Sequence, residues 1–152
     1  MDDIDRLIMQ ALQEDGRTPF TRIAKKAGVS EATIRSRYRN LVDGGLVRTV
    51  SIVNPFALDL QAPAIVAIST VPGKVEQVAK SIGELPEVAY LVMTLGSYDL
   101  IAEVYCRDLH HLTNLVMHQM QNIPGVNKTE TLMIANIFRL SYRWSPVFED
   151  ID

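Results

Sequence analysis

The sequence predicts an α+β chain, an N-terminal winged helix-turn-helix followed by a C-terminal ferredoxin-like βαββαβ domain. Three observations carry this. Apolar residues recur at helical spacing through the first 42 positions, punctuated by capping residues and glycines. The chain after about position 60 falls into two similar strand–helix–strand halves. Positive charge is gathered into one short segment of an otherwise acidic chain.

The first helix is expected over about Asp3 to Glu14. Ile4, Leu7, Ile8, Ala11 and Leu12 follow the i, i+3, i+4, i+7, i+8 spacing of one buried face. Asp2 or Asp3 caps its free N–H groups, and Asp15-Gly16 ends it. Thr18-Pro19 predicts the start of a second helix, a capping hydroxyl followed by proline at the first helical position. Ile23, Ala24 and Ala27 point inward, and Gly28 stops it. Ser30 caps a third helix, about Glu31 to Val42, with Ile34, Tyr38, Leu41 and Val42 inward. Two short helices joined by "AGVS" match the tight turn of a helix-turn-helix. "DGG" at 43–45 then breaks the helix, and "LVRTVSIV" reads as an extended hairpin, a wing, with Arg48 near its turn.

"NPFALDL" at 54–60 reads as a linker. Beyond it come strand "APAIVAISTV", helix "GKVEQVAKSIGEL", strand "VAYLVMTL", strand "LIAEVYC", helix "DLHHLTNLVMHQMQNI" and a long last strand "VNKTETLMIANIFRL". The helices turn Val75, Val78, Ala79 and Ile82, and Leu112, Leu115, Val116 and Met120, toward a core. "LPEV" at 85–88 recurs as "IPGV" at 123–126, which marks the repeat. The domains are therefore 1–53, a linker 54–62, 63–143, and a tail 144–152, whose Trp144 and Phe148 are expected to pack. Both sheet faces are apolar, so the face without helices needs a cover. A second copy of the chain is the simplest one.

Composition bounds the function. The chain has 152 residues, a net charge of -3 and one cysteine, Cys106, which suits a reducing cytoplasm and excludes a disulfide framework. Apolar stretches such as "AIVAI" are too short to span a bilayer, so no membrane partner is expected. Residues 16–48 hold eight basic residues against two acidic ones, a local +6 inside a remainder of -9. Such a segment points to a polyanion. On the third helix Arg35 and Arg39 lie one turn apart facing outward, with Arg37 to one side and Thr33 and Ser36 completing a polar surface. The nearest helical carboxylates, Glu31 and Asp43, sit only at its two ends, so the guanidinium groups are expected to be unpaired. A helix of this width fits the DNA major groove, where arginine pairs with guanine edges. Arg22, Lys25 and Lys26 of the second helix would lie over the phosphate backbone. A plain solvated face is the alternative.

Between the two central strands lies "GSYD", Gly96, Ser97, Tyr98 and Asp99. Glycine allows a backbone conformation closed to other residues and an exposed N–H for an anion, and Asp99 can hold an ammonium. An amino acid needs both features, though the same residues also make ordinary turns. His110, His111 and His118 lack a third partner for a metal. Cys106 reads as a small buried hydrophobe. No Walker loop, G-x-G-x-x-G or H-E-x-x-H occurs, so no cofactor and no enzymatic centre are expected.

Taken together, "DDIDRLIMQALQEDGRTPFTRIAKKAGVSEATIRSRYRNLVDGGLV", "SIVNPFALDL", "LGSYDL" and "IPGVNKTETLMI" resemble the Lrp/AsnC, or feast/famine, transcriptional regulators over nearly the whole chain. The resemblance implies that Ser30 to Asn40 is a recognition helix binding double-stranded DNA. It implies a C-terminal domain that dimerises through its sheet and binds small effectors, usually amino acids, with dimers assembling further into octamers. It places the effector against Gly96, Ser97, Tyr98 and Asp99, completed by residues around Thr129 to Thr131 of a neighbouring subunit. Many members carry an acidic residue where this chain has Ser97, so no ligand preference carries over. Two rival readings stand beside it: an architectural protein that wraps DNA without a ligand, and an enzyme of the ferredoxin-like class, which lacks a credible set of acid, base and nucleophile.

Overall fold

The computed structural model describes residues 1–139. Residues 1–52 belong to one compact unit and residues 53–138 form a second. The first holds α1 (Asp3–Glu14), α2 (Phe20–Ala27) and α3 (Glu31–Asp43). Asp2 caps α1, accepting from the Ile4 and Asp5 N–H groups, while the Asp5 side chain accepts from the Asp2 N–H. This reciprocal pair satisfies donors that the helix start would leave bare. Ile8, Ile23, Ala24, Ile34 and Leu41 form the buried core, and Leu7, Leu12, Phe20 and Tyr38 pack around it. Each fully buried aliphatic side chain here contributes about 1.5–3 kcal/mol.

Three local expectations shift. Proline 19 stands at the cap position itself, with extended backbone and no side-chain cap; the Thr18 hydroxyl instead donates back to the Ala11 and Asp15 carbonyls at 3.2 and 2.8 Å. That bond ties the α1–α2 turn rather than starting α2. Val42 is 39% exposed, because Leu41 takes the core position and the next residue lies about 100° further round the helix. The wing is absent as a hairpin: residues 46–53 form no strand. The Leu46 and Val47 N–H groups both return to the Leu41 carbonyl, so "DGG" closes α3 and starts no hairpin. An isolated two-stranded ribbon is marginal, and "RTVSIV" lacks the Asn-Gly type of turn that would favour one. Only Val47 of this stretch packs on the core, while Val50 and Ile52 stay exposed.

The second unit opens on a single turn, Pro55–Leu58, capped by the Asn54 side chain. Then come β1 (Ala62–Thr70), α4 (Val75–Gly83), β2 (Val88–Met93), β3 (Leu100–Cys106), α5 (Leu109–Asn114) and β4 (Val126–Met133). The α5 helix continues through a wider π turn, Leu115–Gln119, and a tight turn, Met120–Asn122. The sheet is fully antiparallel in the order β2-β3-β1-β4. Strand period 2 sorts its faces. Ala64, Val66 and Ile68 of β1 pair with Val104, Ala102 and Leu100 of β3. All six are buried with Val78, Ile82, Leu112, Leu115, Val116 and Met120 from the helices. The opposite face presents Ile65, Tyr90, Val92, Ile101 and Leu132. Tyr90 and Leu132 are 49% and 53% exposed. The last strand is shorter than expected. It ends at Met133 because β1, its ladder partner, begins at Ala62; Ile134 makes one more bond, to the Pro63 carbonyl at 2.9 Å. Trp144 and Phe148 lie outside the described residues.

Candidate nucleic-acid interface and effector loop

Gly28 adopts φ 68°, which reverses the chain after α2, and Ser30 then caps α3 by accepting from the Thr33 N–H at 3.1 Å. With Ile34 and Leu41 buried, the exposed positions of α3 include Ala32, Arg35, Ser36, Arg39 and Asn40. Their spacing, i, i+3, i+4, i+7, i+8, is one stripe of a helix. Arg22, Lys25 and Lys26 of α2 are exposed, as is Arg48. Ala32 and Asn40 were not among the residues expected from the sequence. The outward stripe was readable in the same period that gave the core, but a search for charge passes over a methyl and an amide.

The three arginines differ, and two of them are not unpaired. Arg35 Nη2 donates to Glu31 Oε1 at 2.5 Å, and its guanidinium carbon lies 5.5 Å from the Phe20 ring centroid. Arg37 is turned the other way. Its Nη1 donates to Asp2 and, at 3.2 Å, to Asp5 Oδ1. Two residues advance a helix by about 200°, so Arg37 leaves the stripe of Arg35 and Arg39 and meets the start of α1. It binds α3 to α1, so this guanidinium, expected to be unpaired, is engaged within the fold. Arg39 is exposed, and no hydrogen bond or ion pair engages it among the described residues. The hydroxyls of Ser30 and Thr33 bond each other at 2.8 Å and serve the cap. Ser36 stays exposed.

The clamp has a pH signature. The backbone N–H of Asp5, with help from Arg37, holds the Asp2 carboxyl below its ordinary value of 3.8. A depressed carboxyl contributes stability above its unfolded value, and loses it as pH falls through the folded one. Melting temperature should therefore drop on acidification below about pH 4. In Asp2→Asn this drop should be shallower. Circular dichroism melts between pH 7 and pH 3 decide; parallel acid limbs would remove Asp2 from the account.

The loop after β2 is stitched at both ends. The Thr94 N–H donates to the Asp99 carbonyl at 2.8 Å, and its hydroxyl to the Tyr98 carbonyl at 2.6 Å. Asp99 Oδ2 accepts from both the Thr70 N–H, at 2.6 Å, and the Thr70 hydroxyl, at 3.0 Å, closing the end of β1. One carboxylate oxygen is thus already engaged. Tyr98 reaches across to Glu130 of β4, with Lys128 Nζ 6.0 Å from its ring centroid. The bond to Glu130 raises the Tyr98 hydroxyl above its usual range. Gly96 departs from expectation: it does not take up a positive φ, and an added Cβ would meet nothing within 4 Å. Ser97 is exposed beside it. Thr129 and Thr131 pair with Ile68 and Val66, on the helix-bearing face, whereas Glu130 pairs with Ala67 on the other. The protomer therefore joins Tyr98 to Glu130, and brings neither threonine to that contact. Strand alternation around position 130 was the available signal.

Elsewhere, His111 Nε2 meets Glu87 Oε1 at 3.0 Å, a half-buried pair. No cluster of three metal-ligating side chains occurs among the described residues. Cys106 is buried, and burial pushes its thiol up to about 11, so it is not a thiolate at neutral pH.

Residues 1–42 match the family model of the AsnC-type helix-turn-helix domain, and residues 63–143 that of the Lrp/AsnC ligand binding domain. An uncharacterised HTH-type transcriptional regulator of Pyrococcus abyssi is 35% identical over 143 residues, 93% of this chain and 90% of that protein. The leucine response regulatory protein LrpA of Mycobacterium tuberculosis superposes with a TM-score of 0.88 at 26% identity, over 96% of this chain and 100% of the other. AsnC of E. coli gives 0.80 at 27% identity, over 92% and 95%.

Proposed function

Because the chain belongs to the Lrp/AsnC family of transcriptional regulators, and is a regulator rather than an enzyme, we propose that it reads duplex DNA through α3 and couples this to an amino acid held at residues 96–99. The single observation behind the DNA reading is the exposed α3 stripe, in which Arg39 is uncommitted. Arg35, Ser36 and Arg39, joined by Ala32 and Asn40, enter the major groove. Arg22, Lys25, Lys26 and Arg48 meet phosphates. Ser30 and Thr33 act through the cap that starts the helix. Two copies, joined through the open apolar face of the sheet, present two recognition helices to half-sites in successive grooves. Dimers assemble further into an octamer in the cytoplasm. No helix among the described residues is long and apolar enough to cross a membrane. Titrating a labelled duplex with the full chain at several salt concentrations tests the reading. The logarithm of the affinity should fall linearly with log salt as phosphate counter-ions are released, and a flat response would count against it.

The effector arm has its own test. Gly96, Ser97, Tyr98 and Asp99 supply the loop, and Thr129 and Thr131 come from a neighbouring subunit. Asp99→Ala would also strip the Thr70 N–H of its acceptor, so Asp99→Asn is the cleaner variant: its carbonyl oxygen still accepts from Thr70, but the charge facing an ammonium is gone. Any amino acid that raises the melting temperature of the wild type should no longer do so in Asp99→Asn, with DNA affinity unchanged. A retained shift places the ligand elsewhere. If none of the twenty amino acids shifts the wild type, the ligand-independent, DNA-wrapping reading is preferred.

A further inference from the structure

Glu31 puts a negative charge on the first turn of the helix that is to meet a polyanion, where its ordinary effect is a slight stabilisation of the positive helix end. Its side chain is 41% exposed and that of Arg35 59%, so the pair faces solvent rather than the core. An exposed i, i+4 ion pair and an acid at a helix start each stabilise the helix only slightly. Fold stability is a weak reason to set an acid where it repels phosphate. The geometry offers a better one. Arg35 meets Glu31 at 2.5 Å and lies 5.5 Å from the Phe20 ring centroid, two contacts that bias the plane and direction of a long side chain before any ligand arrives. Both residues lie near the N-terminal end of α3, the part of a recognition helix that meets base edges.

We propose that Glu31 and Arg35 form a single composite base reader, with Glu31 a specificity-determining residue. This deepens, and rests on, the DNA-reading role of α3. Arg35 donates to guanine O6 and N7. Glu31, acceptor-only, takes a proton donor from the exocyclic amine of the cytosine at the adjoining base pair. Thymine O4 and guanine O6 present lone pairs at the corresponding place, and a carboxylate facing them is repelled. On random DNA the same charge weakens binding. Glu31 thus widens the gap between right and wrong sites chiefly by rejecting the wrong ones.

Selection of duplexes from a random pool by the full-length protein tests this, with wild type, Glu31→Gln, Glu31→Asp and Arg35→Ala run in parallel. Wild type should enrich a motif with a guanine and an adjoining cytosine in each half-site. Glu31→Gln should lose preference at the cytosine alone, discrimination there falling from about tenfold to below about twofold, while its affinity for random duplex rises several-fold. Glu31→Asp keeps the charge but is one methylene short; it should lose the cytosine preference without gaining affinity for random duplex. Arg35→Ala should lose the guanine. An unchanged motif in Glu31→Gln, or equal weakening at every position, overturns the proposal and leaves the DNA-reading role standing. A wild type that enriches no motif overturns both.

Discussion

Arg39→Ala is expected to weaken binding to the selected duplex by about 1–3 kcal/mol, roughly five- to 150-fold, with no loss of melting temperature. The expectation follows from what the side chain lacks. Arg35 is tied to Glu31, and Arg37 to Asp2 and Asp5, whereas Arg39 is exposed with no partner among the described residues. Removing it therefore breaks nothing inside the fold, and any loss of affinity belongs to DNA. The pattern across sequences separates two roles. A base contact is lost on the selected site and barely felt on random duplex. A phosphate contact is lost on both alike and lowers the salt slope by about one. Arg37→Ala supplies the contrast: it should lower the melting temperature, because the α1–α3 clamp goes with it. Equal affinity of Arg39→Ala and wild type for both duplexes would remove Arg39 from the interface.

Gly125→Ala is expected to cost about 2–4 kcal/mol of stability, the sum of a strained backbone and a crowded core. Gly125 sits at φ 104°, where L side chains are disfavoured, and a Cβ there would lie 2.9 Å from Lys74 Cβ and 3.0 Å from Val78 Cγ2. The first is a side-chain root and the second belongs to a buried residue, so neither can swing aside as a flexible tip would. The Gly125 carbonyl also accepts from the Val71 N–H at 2.8 Å, so a shift there disturbs the β1–β4 edge. Chemical denaturation of wild type and variant measures the difference. A change under about 0.5 kcal/mol, the usual scatter of surface substitutions, would mean that the start of α4 yields more easily than the packing suggests. The first half of the repeat carries Glu87 at the matching position, and there the side chain meets His111 Nε2 at 3.0 Å.

Much of the fold was legible because its signals are local. The cap at Asp2, the reversal at Gly28 and the cap at Ser30 each act over three or four residues. The apolar period of α1 and α4 needs only its own turn to be read. The "LPEV" and "IPGV" repeat announced two similar halves, and the antiparallel order β2-β3-β1-β4 followed. The candidate DNA stripe was half legible. Its charges and Ser36 stood out, but Ala32 and Asn40 did not. The effector loop was legible as a loop. Its internal bonds, Asp99 to Thr70 and Tyr98 to Glu130, join residues 29 and 32 positions apart, and nothing near the loop signals them.

By itself, then, the sequence determined where helices start and stop, which faces are apolar, and to which family the chain belongs. Only the tertiary structure decided which arginine remains available to a partner, that "RTVSIV" closes no hairpin, and that Gly125 must be glycine. The reason lies in range. Capping and periodicity are settled by neighbours within a turn or two. A guanidinium at 37 finds its carboxylates at 2 and 5 only once α1 has packed on α3, and a Cβ at 125 is forbidden only once α4 has closed against the start of β4.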